Sequence, residues 1–415
     1  MTLEPPRPIE VLLVDDSAVV RHLVSDALGS APDVVVVGTA PNGLAGLERI
    51  AAHVPEVVVL DVEMPVLDGL ATLERIRAEW PELPVIMFST LTTRGATATL
   101  EALARGATDY VSKPAGVGDV EAARTAVVAD LLPVVRSCAA FGRLRRPRQP
   151  APATTPATPP PGGPAHAVPG TRPRLGPLRP AGTTAAGATA SMPPGPPPAA
   201  AGAGARPRPA PARGTRARCD VLVIASSTGG PHALTEVITK LPGDLGVPVL
   251  VVQHMPALFT RLLAERLDAR SALTVREGSD GLAIEPGTVY VAPGGEHMKV
   301  RRAPAGGLVL ARDDGPPENS CKPAADVLFR SAAATWGKGV LGLVLTGMGH
   351  DGLAGTRAVR EAGGAVYVQD EASSVVWGMP GAVVKEGLAE AQLPLAEIAG
   401  VLAHELRRPV GAGAR

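Results

Sequence analysis

Residues 57–69 read Val57-Val58-Val59-Leu60-Asp61-Val62-Glu63-Met64-Pro65-Val66-Leu67-Asp68-Gly69, an apolar run of strand length that ends on a carboxylate. Similar runs occupy 9–15, 34–40, 84–89 and 108–113, and amphipathic segments such as 18–28, 42–52 and 69–80 fall between them. Five alternating strand–helix units predict a doubly wound α/β domain whose parallel sheet is covered on both faces. In such a sheet, ligands gather beyond the carboxyl ends of the strands. Asp15 and Asp16 close the first run and Asp61 closes the third, so three carboxylates converge at that edge. They repel one another unless a cation intervenes, and hard oxygen donors suit Mg²⁺. Lys113, at the end of the fifth run, is expected to reach a phosphoryl oxygen. Ser89 is expected to donate its hydroxyl to that oxygen, with Tyr110 swinging in behind it.

The chain has 415 residues, enough for two or three domains. Lys+Arg and Asp+Glu are both 40, and the resulting net charge of +0 gives no electrostatic reason to expect a nucleic-acid partner. Hydrophobic residues make up 45% but aromatics only 2%, so the cores are expected to be aliphatic. No stretch reaches the roughly 18 uninterrupted apolar residues of a membrane span. Residues 1–10 carry acid and proline where a secretory signal needs an apolar core, so the expectation is a cytoplasmic protein with no direct membrane insertion. Three widely spaced cysteines, Cys138, Cys219 and Cys321, fit a reducing compartment and argue against a disulfide framework or a zinc knuckle. Neither a Walker A loop nor a dinucleotide fingerprint occurs.

The 44 prolines are unevenly spread. Over 142–218 the chain is almost wholly Ala, Pro, Gly, Thr and Arg, without one acidic residue, and has too little apolar surface to offset the entropy of ordering. This predicts domains at 7–128 and 218–406, joined by a disordered linker over 142–217.

Beyond the linker, strand-like runs recur at 220–226, 247–254, 340–346 and 364–369, with helical periodicity at 231–241, 258–270, 324–336 and 352–362. Residues 288–312 read as a β-hairpin insertion with turns at Pro293-Gly294-Gly295 and Gly306-Gly307. The second domain is thus expected to be doubly wound α/β with a mostly parallel sheet. Its first strand enters Ser226-Ser227-Thr228-Gly229-Gly230-Pro231. A serine at a strand-to-helix turn projects its oxygen outward, and N–H groups at the positive helix end can hold an oxyanion. The same turn also reads as a plain helix cap or anion-binding turn.

A nucleophilic serine needs a base, and the base needs an orienting acid. His22 and His53 belong to the first domain, His166 to the linker and His404 to the terminal helix, which leaves His232, His254, His297 and His350. His254 ends the strand after the serine's own and is the leading base. Asp351 stands at another strand-to-helix turn, as orienting acid or as helix cap.

Residues 8–125, through Asp15-Asp16, Leu60-Asp61-Val62-Glu63-Met64-Pro65 with Asp68-Gly69, Ser89 and Lys113-Pro114, closely resemble the receiver domain of two-component response regulators. The resemblance implies a flavodoxin-like fold with Asp61 as phosphoacceptor. It also implies that Asp15, Asp16 and Asp61 hold Mg²⁺, while Ser89, Tyr110 and Lys113 transmit the switch. Residues 218–405 resemble the catalytic domain of the chemotaxis protein-glutamate methylesterases, the CheB family. The matching stretches are Ser227-Thr228-Gly229-Gly230-Pro231, Gln253-His254-Met255-Pro256, Ala292-Pro293-Gly294 with His297, Asp326-Val327-Leu328-Phe329-Arg330-Ser331, 345–352 and Gly378-Met379-Pro380.

By that resemblance Ser227 is the nucleophile, His254 the base and Asp351 the acid of a cofactor-free serine hydrolase. Such an enzyme removes methyl esters from glutamates of methyl-accepting chemotaxis receptors, releasing methanol, and deamidates receptor glutamines. The resemblance further implies phosphorylation by the chemotaxis histidine kinase, which relieves a block of the esterase cleft by the receiver. Thr228 and the region of Met348 are the expected oxyanion donors. Two departures stand out: Ala225-Ser226 replace the usual Gly-Ala, making Ser226 a rival nucleophile, and Cys321-Lys322-Pro323 depart from the usual Arg-Pro pattern.

The linker is longer than the family's layout leads one to expect. Tripling a tether lowers effective concentration about fivefold, or about 1 kcal/mol, so a leaky block is expected. The competing readings are a non-catalytic response regulator that only binds partners and a DNA-binding output domain. The neutral charge and the lack of a helix-turn-helix pattern count against the second.

Overall fold

The computed structural model describes residues 7–114, 120–145, 219–304 and 306–406. Most of the segment expected to be a disordered linker, from 146 to 218, lies outside these residues.

The first domain holds β1 (Ile9–Val14), α1 (Ala18–Gly29), β2 (Val34–Ala40), α2 (Gly43–Ala52), β3 (Val57–Asp61), α3 (Gly69–Glu79), β4 (Val85–Ser89), α4 (Thr93–Ala104), β5 (Asp109–Ser112) and α5 (Val120–Arg145). The five strands are parallel in the order β2-β1-β3-β4-β5. Every residue of β3 is buried, as its unbroken apolar run requires of a strand covered on both faces. Helices start promptly after strands because capping side chains stand ready: Ser17, Asn42, Asp68 and Thr92 each accept a backbone N–H of the first turn of α1 to α4.

Helix α5 runs through 142–145, which the sequence reading assigned to the linker. Its Leu131, Val135 and Cys138 are fully buried, and Arg143 pairs with Glu56 at 2.7 Å, so receiver contacts carry the helix past the change in composition. Length and mean hydropathy (24 residues, 1.4) would also suit a membrane crossing, but this apolar face is used inside the domain.

The second domain comprises β6 (Val221–Ser226), α6 (Gly230–Ile238), β7 (Val249–Gln253), α7 (Ala257–Asp268), β8 (Thr274–Glu277), β9 (Thr288–Val291), β10 (His297–Arg302), β11 (Leu308–Asp313), α8 (Ala325–Trp336), β12 (Val340–Val344), α9 (Leu353–Glu361), β13 (Ala365–Gln369), α10 (Gly378–Lys385), β14 (Ala391–Leu393) and α11 (Leu395–Leu406). Seven parallel strands are ordered β14-β13-β12-β6-β7-β9-β8, so β6 is central, flanked by β12 and β7.

The insertion differs from the sequence reading. Residues 288–291 form β9 of the parallel sheet, and the hairpin is β10–β11, joined at Gly306-Gly307 with φ of 89° and 83°. Gly294 serves close approach instead: a Cβ there would lie 2.2 Å from the Ala257 nitrogen. Phe329, fully buried on α8, packs in the aliphatic layer with Val223 and Val344. Phe329→Ala is expected to lower the stability of this domain by about 3–5 kcal/mol in a denaturant titration.

The described residues of the two domains form one compact unit, in which the receiver's α4–β5–α5 face meets the second domain. Helix α4 packs on α6 and α7. The Tyr110 ring stacks on Phe259 with centroids 4.7 Å apart and planes inclined by 20°. On the other side of β5, Met348 and Val375 join the apolar cluster of Val111, Leu131 and Cys138.

Candidate active site

The sheet edges gather the polar residues that end each strand. In the receiver, register pairs Val14 with Leu60, Asp61 with Phe88 and Ser89 with Ser112, so Asp15, Asp61, Ser89 and Lys113 emerge together. Lys113 Nζ bridges Asp15 at 2.7 Å and Asp61 at 2.8 Å. Burial pushes the Asp61 carboxyl up to about 6, against the opposing pull of Lys113. Asp16, Asp61, Ser89 and Lys113 line a cavity of about 300 Å³. Asp15, Asp16 and Asp61 each offer an oxygen within 4.8 Å of the others, an all-oxygen donor set that fits Mg²⁺. The Tyr110 ring is engaged by Phe259.

In the second domain, Ser226 pairs with Gln253 across β6 and β7, so Ser227 and His254 are the next residues on adjacent strands. Ser226 is fully buried, its Oγ donating to Gln253 Oε1 at 2.7 Å, which removes it from the cleft. Gln253 Nε2 in turn donates to the Ser227 carbonyl at 3.0 Å and ties the two turns together. Sequence reasoning saw in Ser226 a second hydroxyl; the structure makes it part of this brace.

His254 Nε2 lies 2.8 Å from Asp351 Oδ2. Asp351 is 2% exposed and also accepts from the N–H groups of Ala325, Asp326 and Gly352 and from Asn319 Nδ2, at 2.6 to 3.1 Å. Two of these N–H groups open α8, where the helix end favours a negative charge. Burial works against the Asp351 carboxylate, but His254 and these donors hold it below the usual carboxylate range. Burial likewise opposes the charged imidazole, yet the hydrogen bonds it donates to Asp351 and Cys321 outweigh it and raise His254 to about 9. The free nitrogen, Nδ1, faces Cys321 Sγ at 3.5 Å. Among the described residues, no hydrogen bond joins Ser227 Oγ to His254.

Asn319 and Cys321 escaped the sequence reading as members of this cluster. Asn319 also donates to Asp326 at 2.8 Å, and its φ of 53° belongs to a turn that its sequence context, Pro316-Pro317-Glu318-Asn319-Ser320, only hints at. Of the other histidines in this domain, His297 is structural: Nδ1 accepts from Ala324 N–H at 3.1 Å and Nε2 faces the Pro316 carbonyl at 3.0 Å.

Both oxyanion candidates flank Ser227. A Cβ added at Gly347 would lie 2.9 Å from Ser227 Cβ, so the 347–348 turn passes close beside this residue. Thr228 is buried, and its side chain and the Gly229 N–H face the carboxylate of the receiver's Asp109. The receiver therefore touches the turn that carries Ser227.

Residues 222–402 match the family described as CheB methylesterase, and residues 11–124 that described as response regulator receiver domain. A protein-glutamate methylesterase/protein-glutamine glutaminase of Nocardioides sp. is 46% identical over 400 residues, 96% of this chain and 96% of its own length. One of Maricaulis maris, with the same description, is 41% identical over 398 residues, 94% of this chain and 93% of its own. The crystal structure of the Thermotoga maritima CheB methylesterase catalytic domain is 39% identical, spans 45% of this chain and 99% of its own, and has a TM-score of 0.44.

Proposed function

The chain belongs to the CheB methylesterase family and carries a response regulator receiver domain at its front, and from this we propose a phosphorylation-activated serine hydrolase that demethylates glutamates of chemotaxis receptors and deamidates their glutamines. The observation that carries the reading is the 2.8 Å pair of His254 with the buried Asp351, one strand over from Ser227.

Asp351 fixes the hydrogen of His254 on Nε2 and leaves the Nδ1 lone pair to take the Ser227 proton as Oγ attacks the ester carbonyl. The contacts that raise the imidazole to about 9 stabilise the imidazolium formed in that transfer, but they also keep most of the resting ring protonated near neutral pH. Methanol release is therefore expected to climb as the pH rises toward 9 and Nδ1 is freed. Backbone N–H groups at Thr228 and near Met348 would face the oxyanion. Methoxide is a poor leaving group, so the imidazolium returns the proton to it. Water then cleaves the glutamyl-serine ester, giving carboxylate and methanol, and the amide of glutamine follows the same course with ammonia as product.

At the receiver, Asp15, Asp16 and Asp61 would hold Mg²⁺, which when bound offsets the negative charge of a phosphoryl group and its acceptor. Lys113 already bridges Asp15 and Asp61 and neutralises part of their repulsion. A chemotaxis histidine kinase is the proposed phosphodonor, and the cytoplasm the proposed location. The test is methanol release from methylated receptor, with and without a small phosphodonor and Mg²⁺. Wild type is expected to be stimulated, whereas Asp61→Asn retains basal release and ignores the phosphodonor; stimulation of that variant would dismiss Asp61 as the acceptor.

A further inference from the structure

Cys321 brings to the cleft a donor that the proposed hydrolysis does not use. Its Sγ lies 3.5 Å from His254 Nδ1, and the Asn319 carbonyl, at 3.4 Å, is the thiol's alternative acceptor. Because Nε2 is engaged by Asp351, Nδ1 is the ring nitrogen that faces the sulfur, and it is open to a metal once its proton is lost. A histidine oriented by a carboxylate through one nitrogen and open at the other is how proteins prepare imidazole to bind a metal. The spacing agrees: ligands on a tetrahedral zinc, at about 2.3 Å for sulfur and about 2.0–2.1 Å for nitrogen, stand about 3.6 Å apart. His254, Cys321 and Asp351 each have a ligand atom within 4.8 Å of the others. The oxygens of Asp351 are already occupied by backbone and side-chain donors, so its part is to orient the ring.

We propose that Cys321 Sγ and His254 Nδ1 form a binding site for a thiophilic divalent cation such as Zn²⁺, with water completing the coordination. On binding, a sulfur–metal and a nitrogen–metal bond form, and the thiol proton and the proton carried by Nδ1 of the imidazolium pass to solvent; no electron is transferred. The cation then occupies the lone pair that would accept the Ser227 proton, so the loaded protein is silent as an esterase. That consequence rests on the hydrolytic reading, whereas the site itself does not. Nitrogen and sulfur donors select against Mg²⁺, so the receiver's cation does not compete.

The test titrates the full chain with Co²⁺ and follows the near-ultraviolet charge-transfer band that only a thiolate ligand gives. One equivalent is expected to saturate the band at micromolar concentration, and Zn²⁺ is expected to displace it. Cys321→Ser and His254→Gln are each expected to weaken binding at least tenfold, the serine variant losing the band outright, while Ser227→Ala keeps it. A band that survives in Cys321→Ser would assign the metal to Cys138 or Cys219 and overturn the proposal, as would the lack of any band in wild type. With the band present and dependent on Cys321, full methanol release by Ser227→Ala would instead sink the hydrolytic reading and leave the cation site standing.

Discussion

Ser227→Ala is expected to lower methanol release from methylated receptor by at least about three powers of ten, since removing the nucleophile of such a triad leaves only the catalysis of binding and the oxyanion contacts. The neighbouring serine cannot take over. Ser226 Oγ is fully buried and engaged by Gln253. Its own replacement by alanine should act through the Gln253 brace between the Ser227 and His254 turns, and so show a smaller loss of rate with a lowered melting temperature. Near wild-type release by Ser227→Ala, with complete loss in Ser226→Ala, would reverse the assignment.

The second large effect concerns Asp109, buried on β5 where the receiver meets Thr228 and Gly229. Burial pushes its carboxyl up to about 7 from 3.8; the N–H groups of Tyr110 and Gly229 and the Thr228 side chain offset only part of that cost. Cys138 and Tyr110, the titratable groups that sense it, are themselves held neutral by burial. Part of that burial comes from the receiver itself, so at about 1.4 kcal/mol per pH unit the charged form opposes docking by at most on the order of 4 kcal/mol.

The sign follows from linkage. The docked carboxyl has the raised pKa, so docking is fully favoured below about pH 4, weakens as the pH climbs, and has lost this contribution once it passes about 7. Asp109→Asn keeps the shape without the charge. Basal methanol release by the variant should therefore be at least tenfold below wild type at pH 8, with the gap closing toward pH 5. Rates normalised to the phosphodonor-stimulated maximum at each pH remove the intrinsic dependence of the esterase. An unchanging ratio between variant and wild type across that range would defeat the argument, and with it Asp109 as a source of the leak expected from a long tether.

Much of both sites was legible because each chemical group ends an apolar run. Asp61 and Ser89 end their strands and Lys113, Ser227 and His254 directly follow theirs, and parallel register delivers such residues to one edge without further information. Asp351 was readable as an acid at a strand-to-helix turn, but its environment was not: Asn319, Ala325 and Asp326 reach it from a loop and a helix start well upstream in the chain. The strands β8 and β14 are short and partly exposed, with little periodicity to read. Gly294 and Gly306 look alike in sequence, although one allows close backbone contact and the other turns a hairpin. The docking face was illegible for a different reason. Tyr110 and Met348 are apolar side chains at positions where a free domain would tolerate them, and only the partner surface explains their burial.

The stack of Tyr110 on Phe259 makes the enzyme half an effector of its own regulator. A ring committed to Phe259 is withheld from any rearrangement around Ser89, so whatever factor phosphorylation contributes to undocking, docking must exact in return from the affinity of the receiver for its phosphoryl group. Under the proposed regulation the signal consequently travels both ways through the docking face, this aromatic contact included, and the catalytic domain helps to set how readily the receiver is phosphorylated.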